Sequence, residues 1–319
     1  VVGLVVLVAQ LALWLPAHAR RADADWMDFS VYLRAARHVA AGEPLYAECA
    51  DFVLGERPSC FYYPPVLALA LAPVARLGPA AFQVVWYGGI VVAFWLYAFG
   101  LARLARVRTS LPNVLAAGAL LQLTPGLTTT MSFGNVDLWV WALCALALGG
   151  LRSRPLLAVG ALVKVFPGWA VAVSLARRER RAWVALVVGA VGLGLAALVV
   201  GPRALLDWTG ALAVMARGFH LGTNVSLTVL ALGAAERVGL GGHAAAFLVA
   251  APLVGVPVVA FATRRWPVER SLAAVLVASV LLAPLCWLHY APILLIPAAA
   301  CWRERSAVTG RAAAAPGTA

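Results

Sequence analysis

The chain has 319 residues, of which 63% are hydrophobic and only 12% charged, against about 25% charged in an average soluble domain. With a mean hydropathy of +0.90, this excludes a water-soluble globular protein and leaves an all-α, polytopic membrane protein. At about 20 residues per crossing, with loops between them, the length allows roughly ten membrane segments, and the apolar runs taken below suggest about nine to eleven. No room remains for a separate nucleotide-binding domain of ~100–150 residues.

The formal charge is +12, and Lys164 is the only lysine among 25 basic residues. Seven of the 13 acidic residues fall in one polar stretch, 17–60. Elsewhere short loops carry arginines: 103–108, 152–154, 177–181, 264–265 and 303–305. Such clusters mark the cytoplasmic side of a membrane protein, which puts 17–60 outside. The arginines flank apolar spans and make no continuous basic stripe interleaved with aromatics, so nucleic acid is excluded as a partner. Membrane lipids are the expected surroundings.

Residues 1–16 read as the remainder of a first transmembrane helix, because Ala-His-Ala-Arg-Arg is a poor cleavage context for a signal peptide. Within 17–60, the residues from Phe29 to Pro44 place Val31, Tyr32, Ala35, Ala36 and Val39 on one helical side. Arg34, Arg37 and His38 fall on the other. The spacing predicts an amphipathic helix ended by Gly42 and Pro44 and lying along the membrane surface. Tyr62 and Tyr63 form an interfacial belt before a helix opened by Pro64 and Pro65.

Further apolar segments are expected at about 81–102, 111–124, 135–150, 155–175, 182–200, 226–240, 246–263, 271–286 and 288–302. The stretch 124–134 reads as an uncharged turn. Segment 155–175 has arginines at both ends, yet one crossing would place one of them outside. A plain span and a re-entrant pair of half-helices, starting at Pro155 and Pro167 around Lys164, both remain open, and 61–76 is similarly ambiguous. The whole of 1–305 is expected to form one transmembrane domain, with 306–319 a disordered cytoplasmic tail.

A few polar residues stand out against this background. Asp28, just ahead of the surface helix, is either a helix-starting acid favoured by the dipole or the first candidate among the outer carboxylates to carry chemistry. His289, with Trp287 and Tyr290, interrupts two apolar runs and is expected on the same outer side as Asp28. Lys164 either snorkels to the headgroups or binds an anion. Asn135 with Asp137, and Asn224 with Ser226, precede apolar helices as caps or cavity-lining residues. Asn224-Val225-Ser226 also matches a glycosylation sequon.

Cys49 and Cys60, both outside, can form a disulfide that pins the loop. Cys144, Cys286 and Cys301 lack metal-ligand spacing, so no metal or other cofactor is expected. Asp23-Ala24-Asp25 matches the DxD motif of nucleotide-sugar transferases, without a soluble nucleotide fold to hold it.

In order, the chain carries D-x-x-x-Y (Asp28, Tyr32), G-x-P-L-Y (Gly42 to Tyr46), Y-Y-P-P (Tyr62 to Pro65) and G-N-x-D (Gly134 to Asp137). It continues with K-x-x-P (Lys164 to Pro167), N-x-S-L (Asn224 to Leu227) and W-x-H-Y (Trp287 to Tyr290). This ordered set resembles glycosyltransferase family 87, C-type (GT-C) membrane glycosyltransferases using polyprenyl-phosphate-sugar donors. The resemblance implies a GT-C-type helical bundle that moves a sugar, mannose as the first candidate because the family includes mannosyltransferases, to a lipid, glycolipid or glycan acceptor at the outer face of the cell membrane.

It also implies Asp28 as general base, Lys164 and His289 on the donor phosphate, and Tyr32, Tyr62, Tyr63, Asn135, Asp137, Asn224, Ser226, Trp287 and Tyr290 lining the substrate. The family commonly has Gly-Gln-x-Asn where this chain has Gly134-Asn135-Val136-Asp137, and Asn-Gln-Ser where it has Asn224-Val225-Ser226. Those departures put the particular sugar and acceptor in doubt. An arabinofuranosyltransferase of the same family, a lipid-linked-sugar flippase and a structural subunit are the competing readings. A flippase would be expected to show paired broken segments in related halves, and the sequence has no such repeat.

Overall fold

The computed structural model describes residues 1–19, 28–49, 60–150, 153–216, 224–239, 244–284 and 286–302. The DxD match at 23–25 and the tail 306–319 lie outside the described residues. The fold is all-α. Helix α1 (Val2–Ala9) runs through a π-helical turn (Gln10–Trp14) into α2 (Leu15–Ala19). Then follow α3 (Asp28–Ala41), α4 (Pro65–Ala75), α5 (Pro79–Leu104), α6 (Leu111–Gln122), α7 (Pro125–Phe133) and α8 (Asp137–Leu148). The second half holds α9 (Arg154–Val163), α10 (Pro167–Ala176), α11 (Arg180–Val200), α12 (Arg203–Ala216), α13 (Leu227–Arg237), α14 (Ala244–Ala262) and α15 (Val268–Leu281). A 3₁₀ turn, Leu288–Leu294, leads into a helix described from 295 to 302.

Among the described residues, α5 with 26 residues and α11 with 21 are each long and apolar enough to cross a membrane. At 1.5 Å per residue they measure about 39 and 32 Å, against a hydrocarbon core of about 30 Å. The pair α6 and α7, bent by 88°, passes the same test as one broken span. Helix α11 turns Val184, Val187, Val191, Leu195 and Leu198 outward, as a lipid-facing helix does. Helix α5 is the axis of the bundle and packs along α8, where Gly100 sits so close to Ala145 that an added Cβ would lie 2.9 Å from the alanine methyl. Small residues at such crossings let helices approach without a hydrophobic driving force.

Among the described residues, arginines from four of the arginine loops gather at one end. Arg103 Nε donates to the Gly149 carbonyl at 3.3 Å. Arg154 Nε pairs with Glu179 Oε2 at 2.7 Å. Arg177 Nη2 donates to Thr263 O, Arg264 O and Ser271 Oγ at 3.2, 3.1 and 2.9 Å. The Arg154–Glu179 pair resolves the topology of 155–175. Two ten-residue helices running on as one span would hold their far ends about 30 Å apart. Instead the start of α9 and the end of α10 touch, so the segment goes in, breaks and returns. The break falls at Lys164, whose backbone is extended (φ −149°, ψ 127°), with Pro167 opening α10. Lys164 is therefore the tip of a re-entrant hairpin, about 15 Å from the arginine end.

Two expectations need correction. The stretch 124–134 is not a turn but helix α7. Pro125 opens it without sacrificing a hydrogen bond, and Gly134 closes it at φ 64°, a left-handed cap. The hydroxyls of Thr128 and Thr129 bond to the Pro125 carbonyl, and that of Thr130 to Gly126 O. The amphipathic helix forms where predicted, as α3, but its apolar stripe is covered by α4 and α5 rather than by lipid. Tyr32 and Ala36 are wholly buried, while Arg37 is exposed. Its C-terminal end is tied down by His38 Nδ1–Glu43 Oε2 at 2.8 Å and by the Cys49–Cys60 disulfide, with Cα atoms 5.0 Å apart.

Candidate active site

The termini of α3, α7 and α8, the hairpin tip and the turn after α15 meet opposite the arginine loops. Trp86 Nε1 donates to Gly134 O at 2.8 Å, and Trp86 lies 17 residues, about 25 Å, along α5 from Arg103. Gly134 is packed so closely that an added Cβ would lie 3.2 Å from both Phe29 Cβ and the Tyr87 hydroxyl. A side chain there would push α3 away from the start of α8.

That contact sets a continuous polar chain. Asn135 Nδ2 donates to Asp28 Oδ2 at 2.7 Å. The same amide's Oδ1 accepts the Asp137 backbone N–H at 2.8 Å, so Asn135 is held at both ends. Asp137 Oδ1 accepts from Lys164 Nζ at 2.6 Å, and Lys164 also donates to the Tyr290 hydroxyl at 2.8 Å. The ammonium lies 4.1 Å from the Tyr290 ring centroid, a cation–π contact. Lys164 is thus not snorkelling to the headgroups: its charge is turned inward.

His289 packs edge-on against Tyr290, centroids 4.7 Å apart, and against Phe133 at 5.9 Å. Its carbonyl accepts from Thr130 Oγ1 at 3.1 Å, which locks the turn onto α7. Its Nε2 has no hydrogen-bond partner among the described residues. Tyr32 OH donates to Tyr63 OH at 3.0 Å and accepts from Val136 N at 3.3 Å, while Tyr62 stacks on Tyr63 at 4.7 Å. The structure therefore brings together Asp28, Tyr32, Tyr62, Tyr63, Asn135, Asp137, Lys164, His289 and Tyr290.

Asn224 and Ser226 are used differently. Asn224 Oδ1 accepts from Cys286 N and Ser226 N at 2.9 and 3.1 Å, and its Nδ2 donates to Pro284 O at 2.8 Å. Ser226 Oγ donates to Ala283 O at 2.5 Å and caps α13 through Thr228 N. With the isolated bridge between Asn224 and Trp287, they clamp the backbone leading to His289. A buried amide engaged in this way does not serve as a glycosylation acceptor.

Asp28 lies outside the membrane-spanning segments, at the first turn of α3. Removal of its carboxyl from water is the largest influence and pushes its pKa up to about 6. The Asn135 hydrogen bond lowers it, the Asp137 charge raises it and the Lys164 charge lowers it. A carboxylate of that pKa is matched to accepting a proton near neutral pH. Asn135→Ala removes a bond that favours the charged form, so Asp28 is expected to titrate higher. The acid limb of the pH–kcat/KM profile should move to higher pH, and an unmoved limb would disconnect Asn135 from Asp28.

An inward-facing acid–amide–acid–ammonium chain inside an all-α membrane bundle belongs to an integral membrane protein with a buried polar site. The chain belongs to glycosyltransferase family 87, whose family model matches residues 61–288, and is accordingly a membrane glycosyltransferase. The matched range includes Asn135, Asp137, Lys164, Asn224 and Ser226; Asp28 precedes it and His289 follows its last residue. No curated protein and no solved structure matches the chain.

Proposed function

We propose that the protein transfers a sugar, mannose as the first candidate, from a polyprenyl-phosphate donor to a lipid or glycolipid hydroxyl at the outer face of the membrane. One observation carries this reading: Asp28, the base candidate, and Lys164, the anion-binding candidate, are joined through Asn135 and Asp137 in one hydrogen-bonded chain. In a single displacement the acceptor oxygen attacks the anomeric carbon, its proton passes to Asp28, and the bond from that carbon to the phosphate oxygen breaks. The configuration inverts and polyprenyl phosphate leaves. Lys164 has three N–H donors, and Asp137 and Tyr290 take two; the third and His289 Nε2 are assigned to the leaving phosphate, whose developing charge fixed donors stabilise.

Support for the outer face comes from the four arginine loops that gather at the other end. The test is transfer by the purified, reconstituted protein from polyprenyl-phosphate-mannose, polyprenyl-phosphate-arabinofuranose and a nucleotide-linked mannose to a panel of glycolipids. Product from a lipid-phosphate donor is expected. Product from the nucleotide sugar alone, or movement of unaltered lipid-sugar across vesicles without transfer, would overturn the proposal.

A further inference from the structure

The polar chain leaves one acceptor unused. Asp137 is 1% exposed and its Oδ1 is committed to Lys164 at 2.6 Å, yet Oδ2 has no hydrogen-bond partner among the described residues. A buried carboxylate oxygen without a donor is costly unless something supplies one. A phosphate cannot, because two anions would face each other. A hydroxyl can: it donates to a carboxylate oxygen and still accepts from a neighbouring N–H.

We propose that Asp137 Oδ2 is a specificity determinant that accepts a hydrogen bond from a hydroxyl of the donor sugar, the one on the carbon next to the anomeric centre. The position follows from Lys164, which holds Asp137 with one N–H and, on the reading above on which this inference rests, the donor phosphate with another. A single ammonium then separates carboxylate from phosphate, and the hydroxyl nearest the phosphate linkage is the one that meets Oδ2. Asp28 is left to serve the acceptor.

The experiment compares the polyprenyl-phosphate sugar that supports transfer with its 2-deoxy analogue, in wild-type protein and in Asp137→Asn. The asparagine can keep its oxygen toward Lys164, which puts an NH₂ donor where Oδ2 stood. Wild type is expected to favour the parent donor by at least about 100-fold in kcat/KM, because a site built around a hydroxyl rejects the analogue that lacks it. In Asp137→Asn that preference should collapse to a few-fold, through loss on the parent donor. Competitive binding of the two lipids to wild-type protein, read by tryptophan fluorescence, tests the same preference without turnover and without relying on the variant's folding. Equal binding and equal kcat/KM of the two donors, or a preference unchanged in Asp137→Asn, would overturn this inference while leaving the transferase reading intact. Absence of transfer from every lipid-phosphate donor would instead overturn the transferase reading.

Discussion

Replacing Asp28 with asparagine is expected to lower kcat/KM for sugar transfer by roughly 10²–10⁴-fold, while leaving the thermal unfolding temperature in detergent at or above that of wild type. The two halves of this result have one cause. Asp28 is held in surroundings that disfavour its charge, with a pKa of about 6 against an ordinary 3.8. A carboxyl whose folded pKa is raised contributes its stability below about pH 4 and loses it as pH rises through about 6. At pH 7–8 the charged Asp28 therefore costs the fold stability, and a neutral amide removes that cost. Asparagine still presents an oxygen to Asn135 Nδ2, which donates to Asp28 Oδ2 at 2.7 Å, so the local structure is kept. Only the capacity to accept a proton from a hydroxyl is lost. In wild type kcat/KM should rise with pH with an inflection near 6, and in Asp28→Asn that inflection should vanish. Residual activity with the same inflection would show that another group is the base, and a falling unfolding temperature would show that the Asp28 charge is structural.

Much of this site was legible in the sequence for a simple reason: in an apolar chain a polar residue is an exception that needs a cause. Lys164, the only lysine, and His289, between two apolar runs, stood out in this way, and Pro155 and Pro167 marked the helix break. The direction of the hairpin was not legible, because charge placement allows either a plain or a returning path. It took the Arg154–Glu179 contact to choose.

Helix α7 escaped because threonine hydroxyls that bond back to the preceding turn make a helix look like a polar loop. Helix α12 escaped because its sequence mixes apolar residues with Arg203, Asp207 and Gly210, short of an apolar run. Asn224 and Ser226 were open to capping or cavity lining, because polar groups at membrane depth suit either; Ser226 caps α13, and both hold backbone groups of residues 281, 283, 284 and 286. The role of Asn135 depends on the approach of α3 to Gly134, a contact between segments about 100 residues apart that no local pattern records.

The largest stability effect is expected at the other end of the polar chain. Lys164→Met leaves Asp137, 1% exposed, without its cation, and removing one partner of a buried ion pair costs about 3–5 kcal/mol. The methionine fills much the same volume, so the loss measures charge rather than packing. Adding Asp137→Asn to Lys164→Met removes the stranded carboxylate, and the double variant should recover most of the lost unfolding temperature. Replacing both members of a buried pair by neutral groups is often close to neutral for stability. Transfer should behave otherwise: both the single and the double variant lose the ammonium assigned to the leaving phosphate, and restoring the fold should leave kcat near the floor. Recovery of activity together with stability would make Lys164 a structural counter-ion to Asp137 and shift the phosphate to His289. Recovery of stability alone would separate the two duties of this lysine, neutralising a carboxylate in the resting protein and holding an anion during transfer.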